Sequence, residues 1–449
     1  MSRHSSLTRR SLLNKSLAVA TALSLSASSY SRVLGANARL RIAAVGVGGK
    51  GRSDLEATAA TDKVQVVALC DIDETQEHMG YAANKFPDAK RFTDWRKLFE
   101  QQKDFDALIV STPDHMHAPI SLPAMELGKH VQCQKPLTHT VFEARQMQAA
   151  AKRAKVITQM GNQIQSYSEY RTAVKLVHDG IIGKVREVHS WQSGGMSWRI
   201  VDDRPAGEEP IPAGVHWDEW LGVAPKRPYL SKIYHSFNWR AWQDFSNGQL
   251  GDFGCHILDP VFMALKLTAP TSIQAECKPM NREVWYTSSK VAYEFPGTEL
   301  TTGKSVKVTW YDGEKHFPSI EALGISESTK LPSSGSILLG EKGSLIIPHV
   351  GMPKLLPDEK FENYKIDPVP ARNHYTSWAH ACLGEDTTTS HFDYSGPLTE
   401  AVLLGTIAIR NPGSLLTWDA VTMKLTGATG AQEMLTKSYR AGWEPKWTL

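Results

Sequence analysis

Two short segments of this 449-residue chain carry side chains that could exchange a proton with a hydroxyl group. In the first, Lys135 follows an apolar run and precedes Pro136, whose ring restrains the backbone before it. In the second, Asp252, His256 and Asp259 have the i, i+4, i+7 spacing that places side chains on one face of a helix. We predict Lys135, His256 and Asp252 as catalytic residues in general acid–base chemistry. The alternatives are a surface lysine before a turn and a helix cap followed by a buried histidine.

A glycine-rich segment nearer the start of the chain is suited to binding a dinucleotide. Gly46, Gly48 and Gly51 follow an apolar run and open a helical segment, where glycines permit a tight turn and close approach to a pyrophosphate. Asp71 ends the next apolar run, where a carboxylate accepts bonds from a ribose 2′-OH and repels a 2′-phosphate. The sequence therefore predicts NAD, with NADP less favoured, bound by Gly46, Gly48, Gly49, Gly51 and Asp71. A purely structural glycine turn is the alternative.

The segment 111–117 follows the third apolar run, at a strand end where ligands of open α/β sheets bind. We expect cofactor contacts from this segment and from the following strand end, specifically from Thr112, Pro113, His117 and Lys135. His115 and His117 could suggest a metal site, but the sequence identifies no convergent acid or thiol to complete it. We therefore predict no metal and expect these histidines to face the nicotinamide or the substrate.

The elements that must position these residues form two regions. From Leu40 to about Gly161, short apolar runs alternate with helical segments; the runs are residues 41–45, 64–69, 107–110, 130–133 and 156–159. Near-continuous apolar runs joined by helices are typical of a parallel sheet covered on both faces. We predict an α/β Rossmann domain with a doubly wound parallel sheet over residues 39–161.

The pattern changes after Gly161. A helix at 170–178 leads into strand-like runs at 185–191, 291–295, 305–310, 336–339 and 344–347. Strands without alternating helices favour an antiparallel sheet. We predict an α+β C-terminal domain with a large, mostly antiparallel sheet over residues 162–449. The aromatic residues of 198–247 are expected either to line a carbohydrate or cyclitol pocket or to pack as an irregular lid.

The first residues resemble an export signal rather than part of a domain. Arg9 and Arg10 precede a mildly apolar, serine-rich run that is shorter than the ~20 apolar residues of a membrane-spanning helix. We predict a twin-arginine signal peptide at residues 1–38, recognition by the twin-arginine export machinery, and a periplasmic protein that is anchored to the membrane if the signal is retained. Removal of this basic segment would change the formal net charge from +3 to −2. Nothing in the charge indicates nucleic acid binding.

Four motifs in this order resemble the glucose–fructose oxidoreductase/inositol dehydrogenase (Gfo/Idh/MocA) family, from Leu40 nearly to the C-terminus. They are the glycine fingerprint, the Thr-Pro-x-x-x-His stretch ending at His117, the Lys135-Pro136 pair, and the Gly-x-Leu-x-Asp-x-Gly-x-His stretch ending at His256. The resemblance implies a Rossmann domain followed by an open-faced sheet that often forms subunit interfaces, so we expect a homo-oligomer. One departure is visible, because Gln134 stands where the family usually has glutamate.

The resemblance also implies a reaction, namely hydride transfer at a ring carbon of a sugar or cyclitol. Lys135 would contact the reacting hydroxyl, His256 would be the acid/base, and Asp252 would be its polar partner or a substrate contact. We expect an NAD-dependent oxidoreductase with a tightly bound cofactor that acts on a secondary hydroxyl of a sugar, glycoside or cyclitol. The alternative is a redox-neutral NAD-dependent glycoside hydrolase or lyase with a 3-keto intermediate. Its additional acid/base would come from Tyr167, Tyr170, Tyr234 or His235. A non-catalytic binding protein is disfavoured by the three retained catalytic residues.

Overall fold

The computed structural model describes residues 39–194, 201–285, 288–313 and 317–445. The predicted signal at 1–38 lies outside these residues, as does Trp198 of the aromatic segment. Among the residues described, no helix is long and apolar enough to cross a membrane.

The first region folds around a six-stranded parallel sheet with the order β3-β2-β1-β4-β5-β6. Its strands are β1 (Leu40–Val45), β2 (Val64–Cys70), β3 (Lys90–Phe92), β4 (Ala107–Val110), β5 (His130–Cys133) and β6 (Thr158–Met160). The connecting helices are α1 (Gly49–Thr58), α2 (Met79–Lys85), α3 (Trp95–Gln101), α4 (His117–Glu126) and α5 (Val141–Ala154). This arrangement confirms the predicted doubly wound Rossmann domain.

The second region contains a nine-stranded sheet with the order β13-β12-β11-β7-β10-β9-β8-β14-β15. Its strands are β7 (Val185–Gln192), β8 (Ser272–Glu276), β9 (Ser289–Pro296), β10 (Ser305–Asp312), β11 (Ser334–Gly340), β12 (Ser344–Pro348), β13 (Lys354–Leu356), β14 (Leu415–Asp419) and β15 (Lys424–Thr426). Neighbouring strands are antiparallel except for the parallel pair β7 and β10. The predicted mostly antiparallel sheet is confirmed.

Helices surround this second sheet and connect it to the first domain. They are α6 (Ser168–His178), α7 (Trp217–Leu221), α8 (Gly248–Ile257), α9 (Asp259–Leu265), α10 (Ile320–Leu323), α11 (Asp358–Phe361), α12 (His374–Cys382) and α13 (Phe392–Arg410). The 19-residue helix α13 packs against α5 of the first domain and against α8 and β8 of the second. Its central residues are almost all buried, so it joins the two domains through a shared apolar core.

The aromatic segment packs as an irregular lid. Trp217 stacks on Trp220 with ring centroids 4.6 Å apart, and Trp220 meets Phe245 edge to face at the same distance. Tyr234 packs against Trp242 at 4.7 Å. Pairs of this kind contribute about 0.5–1.5 kcal/mol beyond the burial of their surface. Both expectations for the segment are met, because Trp220, Phe237 and Trp239 also line a cleft beside the first domain.

Candidate active site

A cleft of about 880 Å³ lies at the C-terminal ends of β1, β2, β4 and β5, and the aromatic segment covers one side of it. The C-terminal edge of an open parallel sheet is where ligands of such folds bind. Most of the predicted site residues line this cleft, namely Gly46, Gly48, Gly49, Asp71, Thr112, Pro113, Lys135, Asp252 and His256. Of the predicted residues, Gly51 and His117 are not part of its lining.

The glycine turn has the close approaches that a dinucleotide site requires. Gly46 has a φ of +78°, and a Cβ there would lie 2.6 Å from the Ser111 carbonyl oxygen. A Cβ on Gly51 would lie 1.9 Å from the Gly46 carbonyl oxygen, so this glycine allows α1 to pack on the turn although it does not line the cleft. The first N–H groups of α1 lack helical acceptors and can bind a pyrophosphate. These residues fit a bound dinucleotide.

The Asp71 carboxylate orders the same turn. Its Oδ2 accepts hydrogen bonds from the backbone N–H groups of Val47 at 2.7 Å and Gly48 at 3.1 Å. Because a carboxylate oxygen has more than one acceptor position, Asp71 can hold the turn and still accept a bond from a ribose hydroxyl in the cleft.

The two histidines of the segment 111–117 do not face the cleft, contrary to the expectation from sequence. His117 is buried, and its ring nitrogens lie 2.8 Å from the carbonyl oxygens of Pro136 and Thr112. His115 is also buried, with Nε2 3.2 Å from the carbonyl oxygen of Leu221. Burial lowers the pKa of His115 to about 3 and that of His117 to about 4. Both imidazoles therefore contact backbone carbonyl groups of neighbouring loops instead of a ligand. The prediction was wrong because a position near a strand end does not determine which way a side chain points.

Lys135 and Asp252 form the charged centre of the cleft. The Lys135 ammonium contacts the Asp252 carboxylate and donates to the Asp252 carbonyl oxygen at 2.8 Å. Arg240 lies 3.8 Å from the same carboxylate. Burial acts to raise the pKa of Asp252, but Lys135 and Arg240 outweigh it and hold that pKa below its usual value. Asp252 therefore stays ionised and positions the Lys135 ammonium across the cleft.

His256 lies one turn beyond Asp252 on α8. It is buried, and its Nδ1 has no hydrogen-bond partner among the described residues. Burial, reinforced by Lys135 and His349, lowers the pKa of His256 well below its ordinary value. The imidazole is therefore neutral near pH 7, which is the form that can accept a proton.

Asp259 does not share this face, contrary to the pattern read from the sequence. Helix α8 ends at Ile257, and Asp259 begins α9. Its carboxylate is buried and accepts hydrogen bonds from Asn162 at 2.9 Å and Gln165 at 3.0 Å. Because Leu258 separates the two helices, Asp259 does not continue the face of α8, and Asn162 and Gln165 hold its side chain in the core.

The structure explains why glutamine precedes Lys135. The Gln134 side-chain amide donates a hydrogen bond of 2.8 Å to Oδ2 of Asp54, which is buried and also accepts from the Ser111 hydroxyl at 2.8 Å. A glutamate at position 134 would place a second carboxylate against this buried acid. Like charges at such a distance destabilise each other. In this pair Asp54 is the carboxylate that accepts the hydrogen bond, and the Gln134 amide is the group that donates it.

Two polar residues beside Lys135 and Asp252 were not predicted from the sequence. Asp114 is buried beside Lys135 and Asp252, and Arg240 stacks on Trp239 with its guanidinium carbon 4.3 Å from the ring centroid. Asp114 could have been predicted as a site residue, because it lies in the loop after β4, at the sheet edge where ligands bind. Arg240 lies in an irregular aromatic segment, where no periodicity shows which residues face a ligand.

Burial raises the pKa of Asp114 to about 7, against the opposing effect of Lys135. For an acid, a folded pKa above the unfolded value of 3.8 is a stability cost that is absent at low pH, grows from about pH 4 to 7, and is complete above that. Asp114→Asn removes the ionisation and keeps an acceptor for the two 3.1 Å bonds from Asn247. The unfolding free energy of the variant minus that of wild type is therefore expected to be about 4 kcal/mol larger at pH 9 than at pH 4.

Urea unfolding of wild type and Asp114→Asn at these two pH values checks the prediction. The exposed Asp62→Asn is the matched control and should show no such dependence. An equal stability difference between Asp114→Asn and wild type at both pH values would contradict the assignment.

The fold and the cleft define a two-domain protein with a dinucleotide-binding Rossmann domain. Comparison with protein-family models specifies the family. The oxidoreductase family model for the NAD-binding Rossmann fold, Gfo/Idh/MocA, matches residues 40–162, and the model for the C-terminal alpha/beta domain of the same family matches residues 167–308. Together they cover more than half of the chain. The chain belongs to the Gfo/Idh/MocA oxidoreductase family, and its cofactor is NAD, as predicted.

Two curated relatives are similar over part of their length. Levoglucosan dehydrogenase of Pseudarthrobacter phenanthrenivorans is 26% identical over 179 residues, which cover 40% of this chain and 37% of that protein. Glycosyl hydrolase family 109 protein 1 of Shewanella sp. (strain ANA-3) is 30% identical over 163 residues, or 35% of each. The matches thus span little more than a third of these relatives.

Two solved structures share the fold over most of their length. The aldose-aldose oxidoreductase from Caulobacter crescentus, complexed with glycerol, aligns with a TM-score of 0.57 and 17% identity, covering 84% of this chain and 99% of that one. The WlbA dehydrogenase from Bordetella pertussis, in complex with NADH and UDP-GlcNAcA, aligns with a TM-score of 0.58 and 15% identity, covering 85% and 99%. At these identities the likeness shows the fold.

Proposed function

We propose that this protein transfers a hydride between a tightly bound NAD and a secondary hydroxyl of a sugar, glycoside or cyclitol. The observation that carries the proposal is the convergence of Lys135, Asp252 and His256 in the cleft that also contains the glycine turn. An ammonium, an ionised carboxylate and a neutral imidazole are the groups that bind and deprotonate a hydroxyl. The similarity to levoglucosan dehydrogenase supports a carbohydrate substrate.

Each of the three side chains has a separate task in this mechanism. Bound NAD supplies the hydride acceptor. The Lys135 ammonium, oriented by Asp252, donates a hydrogen bond to the substrate hydroxyl and stabilises the negative charge that develops on its oxygen. The His256 imidazole accepts the hydroxyl proton as the ring carbon gives up its hydride. In the reverse direction His256 returns this proton.

Export would shape how such an enzyme works. If the segment 1–38 directs the folded protein out through the twin-arginine machinery, its NAD is loaded beforehand and recycled in place, because little free NAD is available outside the cytoplasm. We therefore propose a periplasmic enzyme that keeps its cofactor between turnovers, and a homo-oligomer formed through the nine-stranded sheet.

A redox-neutral glycoside hydrolase or lyase is the second candidate. It is supported by relatives that include glycosyl hydrolase family 109 proteins and an alpha-N-acetylgalactosaminidase of Shewanella oneidensis. Of its four candidate acid/base residues, His235 lines the cleft, whereas Tyr170 is buried outside its lining. The Tyr170 hydroxyl lies 3.2 Å from Nδ1 of His349, whose ring centroid is 5.6 Å from that of His256. Tyr234 packs in the aromatic lid, and Tyr167 is exposed.

The purified protein, with no cofactor added, distinguishes the two candidates. Absorbance at the reduced-nicotinamide band is recorded while a panel of glycosides and cyclitols is added, and products are identified by mass. Lasting reduction of bound NAD with an oxidised sugar supports the oxidoreductase. Cleavage of a glycoside without lasting reduction supports the hydrolase or lyase. Absence of bound cofactor, together with no reduction when NAD is supplied, contradicts both.

A further inference from the structure

Three side chains that commonly bind metals converge beside Asp71 in the cleft, and none of them has a task in the proposed hydride transfer. Asp73 follows β2, His78 directly precedes α2, and His235 belongs to the aromatic lid. One potential ligand atom from each lies within 4.8 Å of the others. All three side chains are at most 16% exposed, and both histidines line the cleft.

The distances centre on one carboxylate oxygen. Nε2 of His235 is 2.7 Å from Oδ2 of Asp73, and Nε2 of His78 is 3.7 Å from the same atom. The other Asp73 oxygen accepts a hydrogen bond from the Thr75 N–H at 2.9 Å, which leaves Oδ2 to the two imidazoles. A hydrogen bond between His235 and Asp73 accounts for that pair, but it does not explain why a second imidazole approaches the same oxygen.

We propose that Asp73, His78 and His235 bind a divalent transition-metal ion, with Zn²⁺ the best match. Two imidazole nitrogens and one carboxylate oxygen suit Zn²⁺, whereas Ca²⁺ and Mg²⁺ prefer oxygen ligands alone. With metal–ligand bonds of about 2.0–2.2 Å, tetrahedral ligand atoms lie about 3.3 Å apart. The observed distances of 2.7 and 3.7 Å bracket that separation. Three protein ligands leave a fourth position for water or for a hydroxyl of a molecule in the cleft.

A further carboxylate has the placement expected around such a site. Nδ1 of His78, the nitrogen that would not bind the metal, lies 3.8 Å from Oδ2 of Asp71. Metal-binding histidines usually direct their second nitrogen to a carboxylate or carbonyl, which fixes the ring and strengthens its ligand nitrogen. Asp71 would thereby connect the metal site to the glycine turn that it already orders.

The ion would fasten the aromatic lid to the Rossmann domain. Backbone bonds already join the two at this point, from His216 N–H to the Ile72 carbonyl at 2.8 Å and from Glu74 N–H to the Gly214 carbonyl at 2.9 Å. Two ligands come from the Rossmann domain and the third, His235, comes from the lid. The first two ligands are five residues apart and the third lies 157 residues beyond His78, which explains why no sequence motif indicated this site.

The test is titration of tag-free, chelator-treated full-length protein with Co²⁺, read from its visible absorption bands, followed by displacement with Zn²⁺. We expect one Co²⁺ per chain, with weaker binding by about 100-fold or more in His78→Ala and His235→Ala. Asp73→Asn, which keeps the size of the side chain and its bond to Thr75, should also weaken binding and serves if an alanine variant does not fold.

His216→Ala is the matched control. His216 belongs to the same lid and pairs with Glu74 at 2.7 Å, but it is not one of the three ligands, so this variant should bind Co²⁺ like wild type. The proposal would be overturned if wild type did not bind Co²⁺. It would also be overturned if His235→Ala and Asp73→Asn bound Co²⁺ as tightly as wild type. Because the readout is the metal alone, neither result depends on the proposed oxidoreductase activity.

Discussion

Replacing His256 by asparagine is expected to lower the rate of nicotinamide reduction by a sugar hydroxyl about 10²–10⁴-fold. The imidazole is buried on α8, and its pKa lies well below the ordinary value, so wild type has a neutral base ready at pH 7. Asparagine retains a polar side chain of similar size but cannot accept the hydroxyl proton. Single-turnover absorbance on the cofactor-loaded protein measures the chemical step.

The interpretation of this result depends on two comparisons. His216→Asn changes a histidine that does not line the cleft and should leave the rate unchanged. The cofactor content of His256→Asn, measured after heat denaturation, should equal that of wild type. A His256→Asn rate within a few-fold of wild type would show that another group accepts the proton.

Replacing Lys135 by methionine is expected to reduce both activity and stability. The long apolar side chain fills the space, but the ammonium that would bind the substrate oxygen is lost, and we expect kcat/KM to fall by at least about 10²-fold. Asp252 would then remain in a largely buried position with Arg240 3.8 Å away as its nearest cation. Removing one partner of a buried ion pair costs about 3–5 kcal/mol.

The double variant Lys135→Met/Asp252→Asn separates these two effects. With no unpaired carboxylate left, its unfolding free energy in urea should recover most of the loss seen in Lys135→Met. Its activity should stay as low as that of the single variant. Recovery of activity together with stability would mean that Lys135 acts only by supporting the fold.

The fold could be predicted from sequence because its strands are strongly patterned. Strands β1 and β4 have nearly continuous apolar runs, and the structure has them, like β5, within a residue of the predicted bounds. The short edge strand β3 was missed because its three residues, Lys90, Arg91 and Phe92, have no apolar pattern and are mostly exposed. Pairing with β2 makes it a strand, and that information is not local.

The residues that line the cleft could be predicted only where the sheet itself fixes their position. Residues at strand ends and in the glycine turn have positions that the parallel sheet dictates, which is why Asp71, Thr112 and Lys135 line the cleft as expected. Side-chain direction in loops depends on packing from distant segments. His117 therefore faces two backbone carbonyls, and the cluster that includes Asp73 and His235 depends on a contact across 162 residues.

The most direct test of the central claim follows the hydride itself. The cofactor-loaded protein is incubated with a reactive sugar from the panel that is deuterated at its ring carbons, and the extracted nicotinamide cofactor is analysed by mass. Direct transfer predicts a reduced cofactor one mass unit heavier than that formed from the unlabelled sugar, and His256→Asn should form it far more slowly. Sugar conversion without deuterium in the cofactor at any time would contradict hydride transfer between this protein's NAD and the substrate.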